Sequence, residues 1–154
     1  MKMIYIVCFL IIGSSNLIPQ ELNFNDMIFL YKNRSFLDKC DPYLAKKNFA
    51  FSRGNTVCSE YIQKNSKDEV YAPQVTICDT YIYLTTFERA TFDYYTNIAT
   101  QYGMKLTKSG VNHSGHLEFT YMSDKYYLGL TQIPVKGEYG KIDYMIWLSF
   151  MNDK

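Results

Sequence analysis

The hydrophobic pattern opens with an unbroken apolar run at residues 4–12, behind the positive Lys2 and ahead of Gly13, Ser14, Ser15 and the polar Asn16. A charged start, a short apolar stretch and small residues form the layout of a secretory leader. The run is well short of the about 20 residues that span a bilayer core. The pattern therefore predicts a signal peptide at 1–15 and a single domain at 16–154. No stable membrane insertion is expected once the leader is cleaved. Cys8 lies inside the run rather than after the small residues, which argues against a lipid anchor.

Beyond the leader the periodicity alternates between helical and extended. Asn25-Asp26 is positioned to cap a short helix through Met27, Ile28, Leu30 and Tyr31. Phe36, Leu37, Cys40 and Leu44 then recur at helical spacing behind a Ser35/Asp38 capping pair, with Asp41-Pro42 expected to restart that helix. Strands are predicted at 49–53, 56–64 and 70–84. The last is a single long strand with Val75, Ile77, Tyr81 and Tyr83 on one face and Cys78, Ile82 and Leu84 on the other. Thr85 with Glu88 reads as a capping box, and Phe87, Thr91, Tyr94, Tyr95, Ile98, Ala99 and Tyr102 mark a helix closed by Gly103. Strands follow at 104–108, 116–122, 125–133 and 142–150, with a polar loop at 109–115.

The order helix-then-strands thus occurs twice, over about 25–84 and 85–150. The helix exits 44–49 and 98–103 look alike, Asn48 falling beside Tyr102. This points to an α+β fold with helices on one face of a mainly antiparallel sheet, built as a tandem αβββ duplication.

Composition alters that picture little. Of 154 residues, 20% are charged and the formal charge is +1, without a basic run, so nucleic acid is not an expected partner. The 15 Tyr and 10 Phe fit strand propensity and core filling. Without the leader, Cys40, Cys58 and Cys78 remain. Cys58 and Cys78 lie almost symmetrically about Lys67-Asp68-Glu69, so a hairpin there would set them opposite one another as a disulfide, the alternative being three buried thiols.

Candidate chemistry is sparse. His113, His116 and Glu118 are the one place where metal-ligating types gather, yet no helix supports their spacing. A thiol at Cys58 or Cys78 paired with His113 or His116 would be a nucleophile, but nothing in the chain brings them together. Asp79 sits within an apolar stretch. Gly137-Glu138-Tyr139-Gly140 is a turn-rich loop rather than a phosphate-binding one. No cofactor is implied. Tyr81, Tyr83, Tyr126, Tyr127, Tyr144 and Trp147 are candidates for a contact face on a sheet covered on one side only.

Through its leader, the stretch LAKKNFAFSRG ending at Gly54, and the segment TFERATFDYY…YGMKLTKSG ending at Gly110, the chain resembles small exported bacterial proteins of unknown function. In layout it is also similar to the β-lactamase inhibitor protein family. Neither resemblance carries residue roles. The expectation is an exported, periplasmic or secreted module that binds a protein partner, of the inhibitor or immunity kind. The competing expectations are a small hydrolase or metal-dependent enzyme using the 113–118 region, and a structural component of the cell envelope.

Overall fold

The computed structural model describes residues 22–64, 66, 70–138 and 140–151. The leader expected at 1–15 lies outside them. Among these residues, three helices, α1 (Phe24–Lys32), α2 (Leu37–Lys46) and α3 (Arg89–Gln101), accompany eight strands. These are β1 (Phe49–Gly54), β2 (Cys58–Gln63), β3 (Gln74–Cys78), β4 (Ile82–Thr86), β5 (Lys105–Val111), β6 (Leu117–Met122), β7 (Tyr126–Pro134) and β8 (Ile142–Phe150). All pair antiparallel in one sheet of order β1-β2-β3-β4-β8-β7-β6-β5. The fold is α+β.

That order is symmetric about its middle. Two helices, α1 and α2, lead into the four-stranded meander β1–β4, one helix, α3, leads into the meander β5–β8, and the halves meet where β4 pairs with β8. Asn48 and Gly103 hold the same place in the two halves. Each follows a helix C-cap (Lys47, Tyr102) and takes a left-handed conformation, with φ 66° and 65°. A helix that must turn directly into a strand favours Gly or Asn there. The equivalence runs one residue off the alignment read from the sequence, which set Asn48 beside Tyr102. Structurally, Leu44 matches Ala99, both fully buried. The match extends further. Each first strand bulges early, between Phe51 and Arg53 and between Leu106 and Lys108, and each is an outer strand of the sheet. A bulge followed by a cation blunts an open edge against pairing with other chains. Asn55 and Asn112 open the two first hairpins with the same device, the side-chain oxygen accepting backbone N–H groups of Val57 and Cys58 in one and of Ser114 and His116 in the other.

The stretch expected as one strand over 70–84 is two, β3 and β4, joined at Asp79-Thr80-Tyr81, where the Cys78 N–H donates to the Tyr81 carbonyl at 2.9 Å. Asp79 is therefore a turn residue, the position its short acidic side chain favours. The turn also reverses the faces. Val75 and Ile77 share their side with Ile82 and Leu84, not with Tyr83. Other local expectations shift too. The α1 cap is Asn23, in a reciprocal capping box with Asp26. Helix α2 passes through Pro42, which is exposed, so water can serve the carbonyl it leaves unbonded. Thr86 stays in β4, its hydroxyl accepting from the Glu88 N–H at 3.1 Å, and Glu88 is the α3 N-cap. The loop expected at 109–115 is partly β5, which runs on to Val111.

The helices all lie against one side of the sheet. Strand β8 buries Tyr144, Ile146 and Leu148 on that side and leaves its alternate residues half-buried on the other. Ring contacts fasten the layers: Tyr31 on Phe150 at 4.4 Å, Phe24 on Tyr126 at 5.4 Å, and Phe92 on Tyr144 at 5.1 Å between centroids. Polar ties add direction. Tyr95 donates to the Leu22 carbonyl, Tyr61 to Asp41, and Tyr31 to the Thr80 carbonyl. No helix among the described residues is long and apolar enough to cross a membrane.

Three protonated groups in this helix layer give the fold an alkaline limit. Burial, helped by Asp41 and Asp38, pushes the Cys40 thiol from 9.0 up to about 11. Burial, with the hydrogen bond to Asp26 and its charge, pushes the Tyr43 phenol from 10.0 up to about 12, and burial beside Asp41 raises Tyr61 as well. A raised pKa means that the folded state holds a proton the unfolded chain has already released. Stability from these groups is complete below pH 9 and is lost as pH rises through about 11 and 12. Urea midpoints followed by circular dichroism are expected to hold steady to pH 9 and to fall steeply between pH 9 and 12.

Candidate functional site

Among the described residues, no helix lies on the sheet's other side. Strand alternation places Tyr83 on β4, Trp147 on β8 and Tyr127 on β7 there, and Tyr81 joins them from the β3–β4 turn. Tyr81 and Tyr83 stack at 6.0 Å, Tyr83 is the register partner of Trp147, and Tyr127 lies 4.7 Å from Trp147. The four rings form a diagonal row across the three central strands. Tyr81 is 38% exposed and the others are half-buried. Gly129 makes room for the Trp147 ring of the row. It pairs with Trp147, and the indole lies where a Cβ on residue 129 would have to be. Only glycine lets a ring rest directly on the strand backbone.

Gly129→Ala is accordingly expected to displace the indole and to destabilise the fold by about 1–3 kcal/mol, the usual range for overpacking. Trp147 is the single tryptophan of the chain, so its emission reports the displacement without background. An unchanged spectrum and urea midpoint would show that the ring does not rest on Gly129.

Two of the six rings expected on this face are elsewhere. Tyr126 and Tyr144 point into the helix layer, Tyr126 against Phe24 and Tyr144 against Phe92, with Tyr144 5% exposed. The reason is parity. Residues 126 and 127 cannot share a face of an unbroken strand, nor can 144 and 147. The sequence reading missed Asp143 and Met145, which the same parity would have supplied.

Cys58 and Cys78 also lie on the open side. They are exact register partners of β2 and β3, 4.2 Å apart at Cα, and are joined by a disulfide. The bonded sulfurs offer no thiolate, which removes the Cys–His nucleophile from consideration. Cys40 is free and fully buried, its thiol bonding to the Asn33 carbonyl.

The residues singled out for metal binding do not form a ligand set. His113 is exposed on the β5–β6 hairpin, while the His116 backbone is taken up by Asn112. The Glu118 carboxylate accepts from Asn112 at 2.5 Å and from Lys108 at 3.2 Å. The Asn112 bond first, then Lys108 and His113, hold it below the usual carboxylate range. Among the described residues no three His, Cys, Asp or Glu side chains gather to hold a metal.

Comparison with protein-family models, curated proteins and solved structures produced no match.

Proposed function

We propose that the protein is an exported, non-enzymatic binding module that holds another protein against the helix-free face of its sheet, in the manner of an inhibitor or immunity protein. The observation that carries this reading is the row Tyr81, Tyr83, Trp147 and Tyr127, with the indole resting on Gly129 and none of the described helices over it. Tyr and Trp dominate binding hot spots because each combines a large apolar area with a hydrogen-bonding end. A row of partly exposed rings spread over three strands suits a protein better than a small molecule, which needs concavity. The Cys58–Cys78 bond supports export, since such bridges persist in oxidising compartments.

Trp147→Ala is expected to weaken binding of the partner by about 2 kcal/mol or more, roughly 30-fold in Kd. Asn97→Ala, on an exposed position of α3, is expected to leave it unchanged. Calorimetry on the two variants provides the test. Equal affinity for both would remove the open face from the interaction.

A further inference from the structure

Among the described residues, Oδ1 of Asp143 is the buried side-chain oxygen that is left without a hydrogen-bond partner. The residue lies on β8 with the parity of Met145 and Trp147, and Ile133 is directly opposite on β7. On the β4 side the register ends at the pair Thr86↔Tyr144, and the chain leaves the strand at Phe87. The Oδ1 atom of Asp143 is sealed from solvent. Native folds pair almost every buried polar atom, because an unpaired one costs about 1–3 kcal/mol and more when charged. The cation closest along the described chain is engaged elsewhere. Lys141, two residues back, bonds Glu138 at 2.9 Å and lies 3.2 Å above the Tyr71 ring. Tyr71 in turn packs on Phe87 and donates to Glu138. Burial raises the Asp143 pKa, which matches a carboxylate among apolar neighbours.

Resting on the reading of this face as a protein-binding surface, we propose that Asp143 is its polar anchor and receives the guanidinium of an arginine carried by the partner. Charge complementarity selects a cation. The apolar surroundings, Ile133 opposite and Met145 beside it on the same face, select guanidinium over ammonium, because it is more weakly hydrated and lies flat against apolar side chains. A partner closing over Trp147 and Tyr83 excludes water from the same face, and in that drier setting the ion pair strengthens. The carboxylate that burdens the free protein then finds its counter-charge only in the complex.

The test uses the whole folded protein and two small probes, N-acetyl-arginine amide and its uncharged isostere N-acetyl-citrulline amide, followed by amide chemical shifts. The arginine probe is expected to give saturable shifts at Ile133, Asp143 and Met145, with none from citrulline. Asp143→Asn is expected to weaken the arginine response about tenfold or more, the scale of one charged hydrogen bond. This variant keeps the side-chain shape and removes the buried charge, and the Trp147 emission checks that it folds. An equal response to both probes, or one that Asp143→Asn leaves unaltered, would overturn the anchor. Partner affinity separates the two readings. Loss with Trp147→Ala but not with Asp143→Asn retires the arginine and keeps the face, whereas no loss with either retires the face and the anchor with it.

Discussion

Replacing both Cys58 and Cys78 by alanine is expected to lower the stability of the fold by about 3 kcal/mol. The two residues are 20 apart in sequence and directly opposed in register. Closing a loop of that length removes about 3 kcal/mol of unfolded-state entropy in the chain-entropy treatment. The β2–β3 connection is the longest in the first meander, from Gln63 to Gln74, so the bridge holds together the strands with most freedom to separate. Reductant on the native sequence is expected to produce the same shift in urea midpoint as the double substitution. A shift below about 1 kcal/mol from either treatment would show that the strand pairing holds without the bond.

Asp26→Ala is expected to have a comparable effect, about 3 kcal/mol, through three contacts made by one carboxylate. Its side chain is 5% exposed. One oxygen accepts from the Asn23 N–H at 2.7 Å, closing the α1 capping box, and from Lys47 at 3.0 Å. The other accepts the Tyr43 hydroxyl at 2.5 Å. The residue thus starts α1 and ties it to the last turn of α2, where Phe29 also stacks on Tyr43 at 4.0 Å. Breaking a buried pair costs about 3–5 kcal/mol because the remaining charge loses its partner. Lys47 is 34% exposed and can turn to water, which puts the expected loss at the lower end. Asp26→Asn retains the shape and one acceptor and is expected to lose less. Thermal unfolding checks both, with a drop of about 10 °C or more expected for alanine. Equal and small losses would mean that the carboxylate is not what joins the two helices.

Where local chemistry and long periodicity agree, the sequence was enough to place the elements. Helix α3 is marked by residues at three- and four-residue steps and by a glycine stop, and β8 by strict alternation across nine residues. The Cys58–Cys78 pairing follows from near-symmetry about a turn. The division of 70–84 was hidden because Ile77, Cys78, Tyr81 and Ile82 read as one apolar run, and only Asp79 signalled the turn. That missed turn reversed the faces and assigned Tyr81 and Tyr83 to the side of Val75. Pro42 misled in the opposite direction, since a helix that keeps its apolar side buried can carry a proline on its wet side. Within the candidate site, residue types were legible but neighbours were not. Trp147 over Gly129 depends on which strand lies beside β8, a long-range pairing that no local window contains. Asp143 gave no signal because an unpaired carboxylate is recognised only once everything around it is known.

The account's central claim is that the partner meets the helix-free face of the sheet. Photo-crosslinking in the cells that make the protein tests this most directly, with p-benzoylphenylalanine placed at Tyr83 on the open face or at Tyr94 on α3. A defined covalent adduct with one other protein from position 83, and none from position 94, is the expected result. An adduct from position 94 alone would place the contact on the helices and contradict the account.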